Sequence, residues 1–176
     1  MVVRVPRALL VLASGLTLGL VAVVTLSRPT GPVAVVDPSS VHQTAGRDAA
    51  LAVLHDWDVR RAAAWAAGDP VALRRLYTSG SAAGDSDVAL LRRYVARGLV
   101  VRDLSMQVLR ARVLVRRPRR LELEVTDRLA AAVAGRSGDV RSVRRLPEST
   151  VSTHLVVLRR PVRVWLVARV SAVPDR

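Results

Sequence analysis

Residues 57–77, WDVRRAAAWAAGDPVALRRLY, hold the punctuation around which the rest of the chain can be laid out. Upstream and into this stretch, residues 47–67 repeat at helical spacing. Ala50, Leu54, Trp57 and Ala64 form one apolar row, and Leu51, Leu54, Ala62 and Trp65 form its neighbour. Gly68 follows as the residue that can turn a helix off in the left-handed region, Asp69 as the next N-cap, and Pro70 as a first helical residue that lacks only an N–H the helix would not use. The spacing therefore predicts a long helix over 47–67 and a short one over 70–77.

A third helix is expected to begin at a cap on Asp85 or Ser86, to bury Leu90, Leu91, Tyr94 and Val95, and to stop at Gly98. Beyond Gly98 the period falls from near four to two. Residues 99–115, 121–132, 150–159 and 162–173 are rich in Val and Leu, with breaks at 116–119 and 159–161 that suit tight hairpins. Residues 135–149 read as the one long loop among these strands. Helices first and an antiparallel meander afterwards give an α+β class: a cone of three helices packed in a curved four-stranded sheet.

Toward the other end, residues 8–26, ALLVLASGLTLGLVAVVTL, run for nineteen residues without a charge. As a helix that is roughly 28 Å, the thickness of a bilayer core, so one transmembrane crossing is expected. Arg4 and Arg7 precede it with no acid beside them, which keeps the N-terminus cytoplasmic. A cleaved secretory signal is the competing reading, but its apolar region is ordinarily shorter, and Thr25-Leu26-Ser27 is a poor cleavage site. The domain organisation is then 1–27 as a signal-anchor in the plasma membrane, 28–46 as a proline-rich linker, and 47–176 as one extracytoplasmic domain. No cysteine is present, so neither a disulfide framework nor a lipid-modified cysteine can contribute.

The net charge is +14 and every basic residue is arginine. The arginine pairs are spread along all the elements with few aromatics among them, which argues against nucleic acid as a partner. A basic domain tethered beside anionic headgroups accounts for the charge more simply.

The string in 57–77, then GSAAGDSDVALLRRYVARGL at 80–99, then strands carrying VTDRL and a closing WLV, resembles the nuclear transport factor two-like superfamily. Ketosteroid isomerases and SnoaL-like polyketide cyclases share that cone-shaped fold. The chain looks most like its exported, membrane-anchored bacterial members, and the likeness covers about residues 46–173. It implies either a binding or assembly role, as in Mce-associated membrane proteins and type IV secretion components, or isomerase, dehydratase or cyclase chemistry on pocket acids and a tyrosine.

Two carboxylates fall where the pattern points indoors. Asp58 sits four residues after Leu54, and Asp127 alternates with Leu121, Leu123, Val125 and Leu129. Each either meets an arginine, with Arg61, Arg92 or Arg128 at hand, or stands in the mouth of the cone with a raised pKa. Tyr77 and Gln107 are the polar partners within reach, and Trp57 and Trp65 either pack the core or line an apolar pocket. His55 and His154 lack a second ligand at metal spacing, and no cofactor motif occurs, so neither metal nor cofactor is expected. The last strand, with Val162, Val164, Leu166, Ala168 and Val170 on one side and Trp165 and Val167 on the other, reads as apolar on both faces. That would suit a homodimer or an envelope protein packed on the outer sheet face. A non-catalytic binding or assembly module is the first reading, and an enzyme with Asp127 or Asp58 as general base is the alternative.

Overall fold

Tryptophan, leucine and alanine at three- and four-residue spacing wind into α1, Pro38–Ala67, against which the rest of the domain is built. The computed structural model describes residues 38–136 and 143–173. The apolar run 8–26 and the linker residues 28–37 lie outside the described residues. Among the described residues no helix is long and apolar enough to cross a membrane. α1 starts at Pro38, within what composition reads as linker. Pro38 takes the first helical position of α1 as Pro70 does in α2, lacking only an N–H that the helix would not use.

The end of α1 follows the sequence reading. Gly68 adopts φ +63°, and the Gly68 and Asp69 N–H groups return to the carbonyls of Trp65 and Ala64. Asp69 Oδ1 then accepts from the Val71 and Ala72 N–H groups at 2.9 Å each, opening α2, Pro70–Arg74. α2 is shorter than 70–77 because its tail is recruited by the sheet. The Leu76 carbonyl takes the Val167 N–H and the Thr78 N–H goes to the Val167 carbonyl. α3, Ala82–Val95, is capped by Ser81, whose Oγ accepts from Gly84 N–H, rather than by Asp85 or Ser86. Asp85 instead lies in the first turn, where its charge suits the helix dipole.

Gly84 is needed for a close approach. A β-carbon there would sit 2.6 Å from Cγ of Tyr77, so the α3 backbone rests directly on the ring. Gly84→Ala is expected to cost about 1–3 kcal/mol by overpacking. Chemical denaturation checks it, and an unchanged midpoint would deny the contact.

Five strands follow: β1 Leu99–Arg117, β2 Arg120–Arg136, β3 Val143–Arg145, β4 Ser152–Arg159 and β5 Leu166–Ala172. They form one antiparallel sheet in the order β1-β2-β4-β5, with β3 pairing β2. The strand count is thus one more than the expected four, because Val143–Arg145, read as loop, pairs with residues 133–135. β1 changes register at several points along β2, and Asp103 takes φ +55° at the first of them. Such bulges bend a strand, and this bend curves the sheet around α1.

The inner face of β2 carries Leu121, Leu123, Val125, Asp127 and Leu129, all buried. Its four aliphatic residues pack with Leu54, Leu73, Leu91, Leu158 and Val167 in a single core. Burying each large aliphatic side chain contributes about 1.5–3 kcal/mol.

The last strand departs from its sequence reading. β5 begins only at Leu166, so Val162 and Val164 lie in the bend before it and are exposed. A bulge where Val157 and Leu158 meet β5 then lets Val167 and Val170 both pair with core residues, Leu158 and Val156. The apparent two-sided apolarity is this one-residue slip, which leaves Arg169 and Ser171 for the outer side.

Candidate ligand-binding cleft

On α1 the side chains of Leu54, Trp57, Asp58, Arg61 and Trp65 recur along one helical face and look into the concave sheet. Between them, the inner rows of β1, β2 and β4, and α3 lies a cleft of about 620 Å³. Its walls are apolar: Trp57, Leu104, Met106, Leu129, Leu146 and Val156. Asp58, Asp127 and His154 reach it from the helix and from two adjacent strands. A second cleft of about 540 Å³ runs between α1 and β1, and Leu54, Asp58, Arg61, Leu104 and Met106 line both. Asp58 therefore faces two openings.

Neither acid meets an arginine. Arg61 is held by Asp87 on α3, with Nε and Nη2 donating at 2.7 Å to the two carboxylate oxygens. Arg128 donates to Gln107 Oε1 and to Glu148 instead. Asp127, 7% exposed, has His154 as its partner, with Nε2 to Oδ2 at 3.3 Å. His154, a solitary imidazole in the sequence, is placed there because β4 pairs residue for residue with β2.

Burial pushes the Asp58 carboxyl up from 3.8 to about 6. The Arg61 charge pulls it back, and Asp127 adds to the rise. No hydrogen bond contributes among the described residues. This carboxylate has lost much of its water and has gained no donor in exchange.

Asp87 went unread as a site residue in the sequence, although its place four residues before Leu91 and seven before Tyr94 puts it on the buried face of α3. It accepts from Arg61, from the Tyr77 hydroxyl at 2.7 Å and from Trp65 Nε1 at 3.3 Å. Tyr77 is consequently a donor locked to a carboxylate. Burial, and then the negative charge of Asp87, hold its phenol above the ordinary range, with Arg61 opposing. Burial alone would lower the Arg61 guanidinium, but Asp87 overrides it and raises it. Trp57 donates to the Leu76 carbonyl at 2.9 Å and packs edge-on to Tyr77.

Of the residues singled out in the sequence, Asp58, Asp127, Tyr77, Trp57 and Trp65 thus line one cleft. Gln107 does not. Met106 takes the inward position on β1, so Gln107 alternates outward to Arg128. Among the described residues no group of three metal-ligating side chains occurs.

Chemically, the cleft offers apolar walls and the carboxylates of Asp58 and Asp127, with the positive charge of Arg61 matched by Asp87 and a second cation, Arg93, on the α3 side. No family model and no curated protein matches the chain. Solved structures do. The intermembrane-space region of chloroplast protein ARC6 overlays with a TM-score of 0.49 at 12% identity, over 74% of this chain and 97% of that one. An NTF2-like protein with a cystatin-like fold from Novosphingobium aromaticivorans overlays at 0.40 with 15% identity, over 76% and 87%. An NTF2-like protein of unknown function in nutrient uptake from Rhodospirillum rubrum overlays at 0.41 with 17% identity, over 69% and 98%. NTF2-like proteins are therefore among the solved chains to which this one is similar.

Proposed function

We propose that the chain is an extracytoplasmic binding module, tethered to a plasma membrane by residues 8–26, whose cleft takes an apolar small molecule with a hydrogen-bond-donating or cationic end. The observation that carries this reading is the cleft of about 620 Å³ with apolar walls and the donor-poor carboxylate of Asp58 at its polar end. A pocket of that size, mostly apolar with a few convergent polar groups, is the usual form of a small-molecule site. A carboxylate without donors favours a ligand that brings one.

The test uses a polarity-sensitive naphthylamine dye titrated into the full chain. Saturable binding is expected, and Met106→Trp, which fills the cleft from its half-buried wall, is expected to weaken it by about tenfold or more. Equal binding by the variant would remove the cleft as the site.

One observation favours a second reading. A carboxyl with a pKa of about 6 is matched to proton abstraction near neutral pH, which would suit isomerase, dehydratase or cyclase chemistry with Asp58 as the base. Turnover of a ketone substrate that is lost in Asp58→Asn while dye binding persists would favour the enzyme. A homodimer or envelope partner on the outer sheet face would meet a mixed surface, because Glu122, Glu124, Thr126 and Arg128 alternate outward along β2.

A further inference from the structure

Seven arginines gather at one end of the sheet. Arg116, Arg117, Arg119 and Arg120 form the tip of the β1–β2 hairpin, and Arg159, Arg160 and Arg163 form the β4–β5 connection. The two are tied together. Arg120 pairs in register with Arg159, and the Arg160 N–H donates to the Arg119 carbonyl at 3.1 Å. Within this group, and among the described residues, an ion pair to an acid engages only Arg120, with Glu122. Val162, 82% exposed, and Val164 protrude between the arginines, and Arg160 lies 5.2 Å from the ring centre of Trp165. Cations ringing protruding valines and a half-buried tryptophan match a headgroup layer over acyl chains.

A second, independent observation concerns the N-terminal side of the domain. A β-carbon on Gly46 would lie 3.0 Å from Nη1 of Arg116, so the N-terminal third of α1, from which the chain leads back toward residues 8–26, passes beside the arginine tip. Cleft residues lie at graded distances from the tip: Met106 is ten residues before Arg116 on β1 and Val156 three before Arg159 on β4, roughly 33 Å and 10 Å along the strands at about 3.3 Å per residue.

We infer that this arginine tip is a docking surface for anionic lipid headgroups, which seats the domain on the bilayer by the hairpin end of its sheet. The orientation rests on the tethered reading above, whereas the charge complementarity stands without it. Each arginine within a Debye length of an anionic surface strengthens attraction by a factor of about five.

Hydrogen exchange on the full chain tests it, with the protein reconstituted in nanodiscs of phosphatidylcholine alone or with about 30% phosphatidylglycerol. Amides of 114–120 and 159–165 are expected to exchange several-fold more slowly with the anionic lipid, and to lose that protection at about 0.5 M salt. Those of α3 should be indifferent. Arg116, Arg117, Arg119 and Arg163 changed together to Ser should abolish the protection while leaving the unfolding midpoint unchanged, since all four are exposed.

Equal exchange in both discs overturns the surface. Carbonate extraction of membranes reports on the tether separately. If the chain is released, its co-sedimentation with phosphatidylglycerol vesicles but not phosphatidylcholine vesicles supports the surface, and failure to sediment with either overturns it.

Discussion

Replacing Asp87 with alanine is expected to lower the stability of the domain by about 3–5 kcal/mol. Asp87 is 8% exposed, and both its oxygens are used. Oδ1 takes Arg61 Nη2 and Trp65 Nε1, and Oδ2 takes Arg61 Nε and the Tyr77 hydroxyl. Truncation strands a part-buried guanidinium and two buried donors at once. Removing both charges together is a different matter, because no uncompensated ion is left behind. Arg61→Met with Asp87→Leu is expected to cost clearly less than the sum of the two single changes. Guanidinium unfolding of the four chains closes the cycle, and additive losses would mean that the pair is not coupled.

Asp58→Asn is expected to act in the opposite direction and to depend on pH. The folded carboxyl titrates at about 6 and the unfolded one near 3.8, so between those values the native state holds more protons than the unfolded state. Stability must therefore fall as pH rises through that window and level off above it. The full difference is on the order of 3 kcal/mol, trimmed by water in the open cleft. Asparagine carries no charge to desolvate, so the variant should be the more stable chain at pH 7 and should lose the slope between about pH 4 and 6. Thermal unfolding across pH 4 to 8 checks both features. A wild-type chain whose stability rises over that interval while the variant's does not would show that Asp58 is favourably solvated.

How much of this was legible beforehand depended on the range of each interaction. The turn from α1 into α2 could be read because Gly68, Asp69 and Pro70 act on their immediate neighbours. Asp127 could be placed indoors because β2 alternates cleanly from Leu121 to Leu129. The partners of the acids could not be read. Arg61 and Asp87 are 26 residues apart, and only the packing of α3 on α1 brings them together. His154 reaches Asp127 through a strand register that sequence does not display. β3 escaped notice because three residues are too few for a period to show. In β5 a single bulge brought Val167 and Val170 to the same side, and a period-two reading has no means of seeing an inserted residue. The N-terminal start of α1 was missed for a different reason. Pro38 is a local signal, outvoted by the prolines and serines around it.

The central claim is that the cleft binds a ligand through Asp58, and titration of a hydrophobic primary amine into the full chain and into Asp58→Asn, from pH 5 to 8, tests it most directly. Wild-type affinity should rise as pH passes through about 6 and the carboxyl gives up its proton, whereas the variant should bind more weakly and without that rise. Coincident curves for the two chains, or the absence of saturable binding in either, would contradict the account.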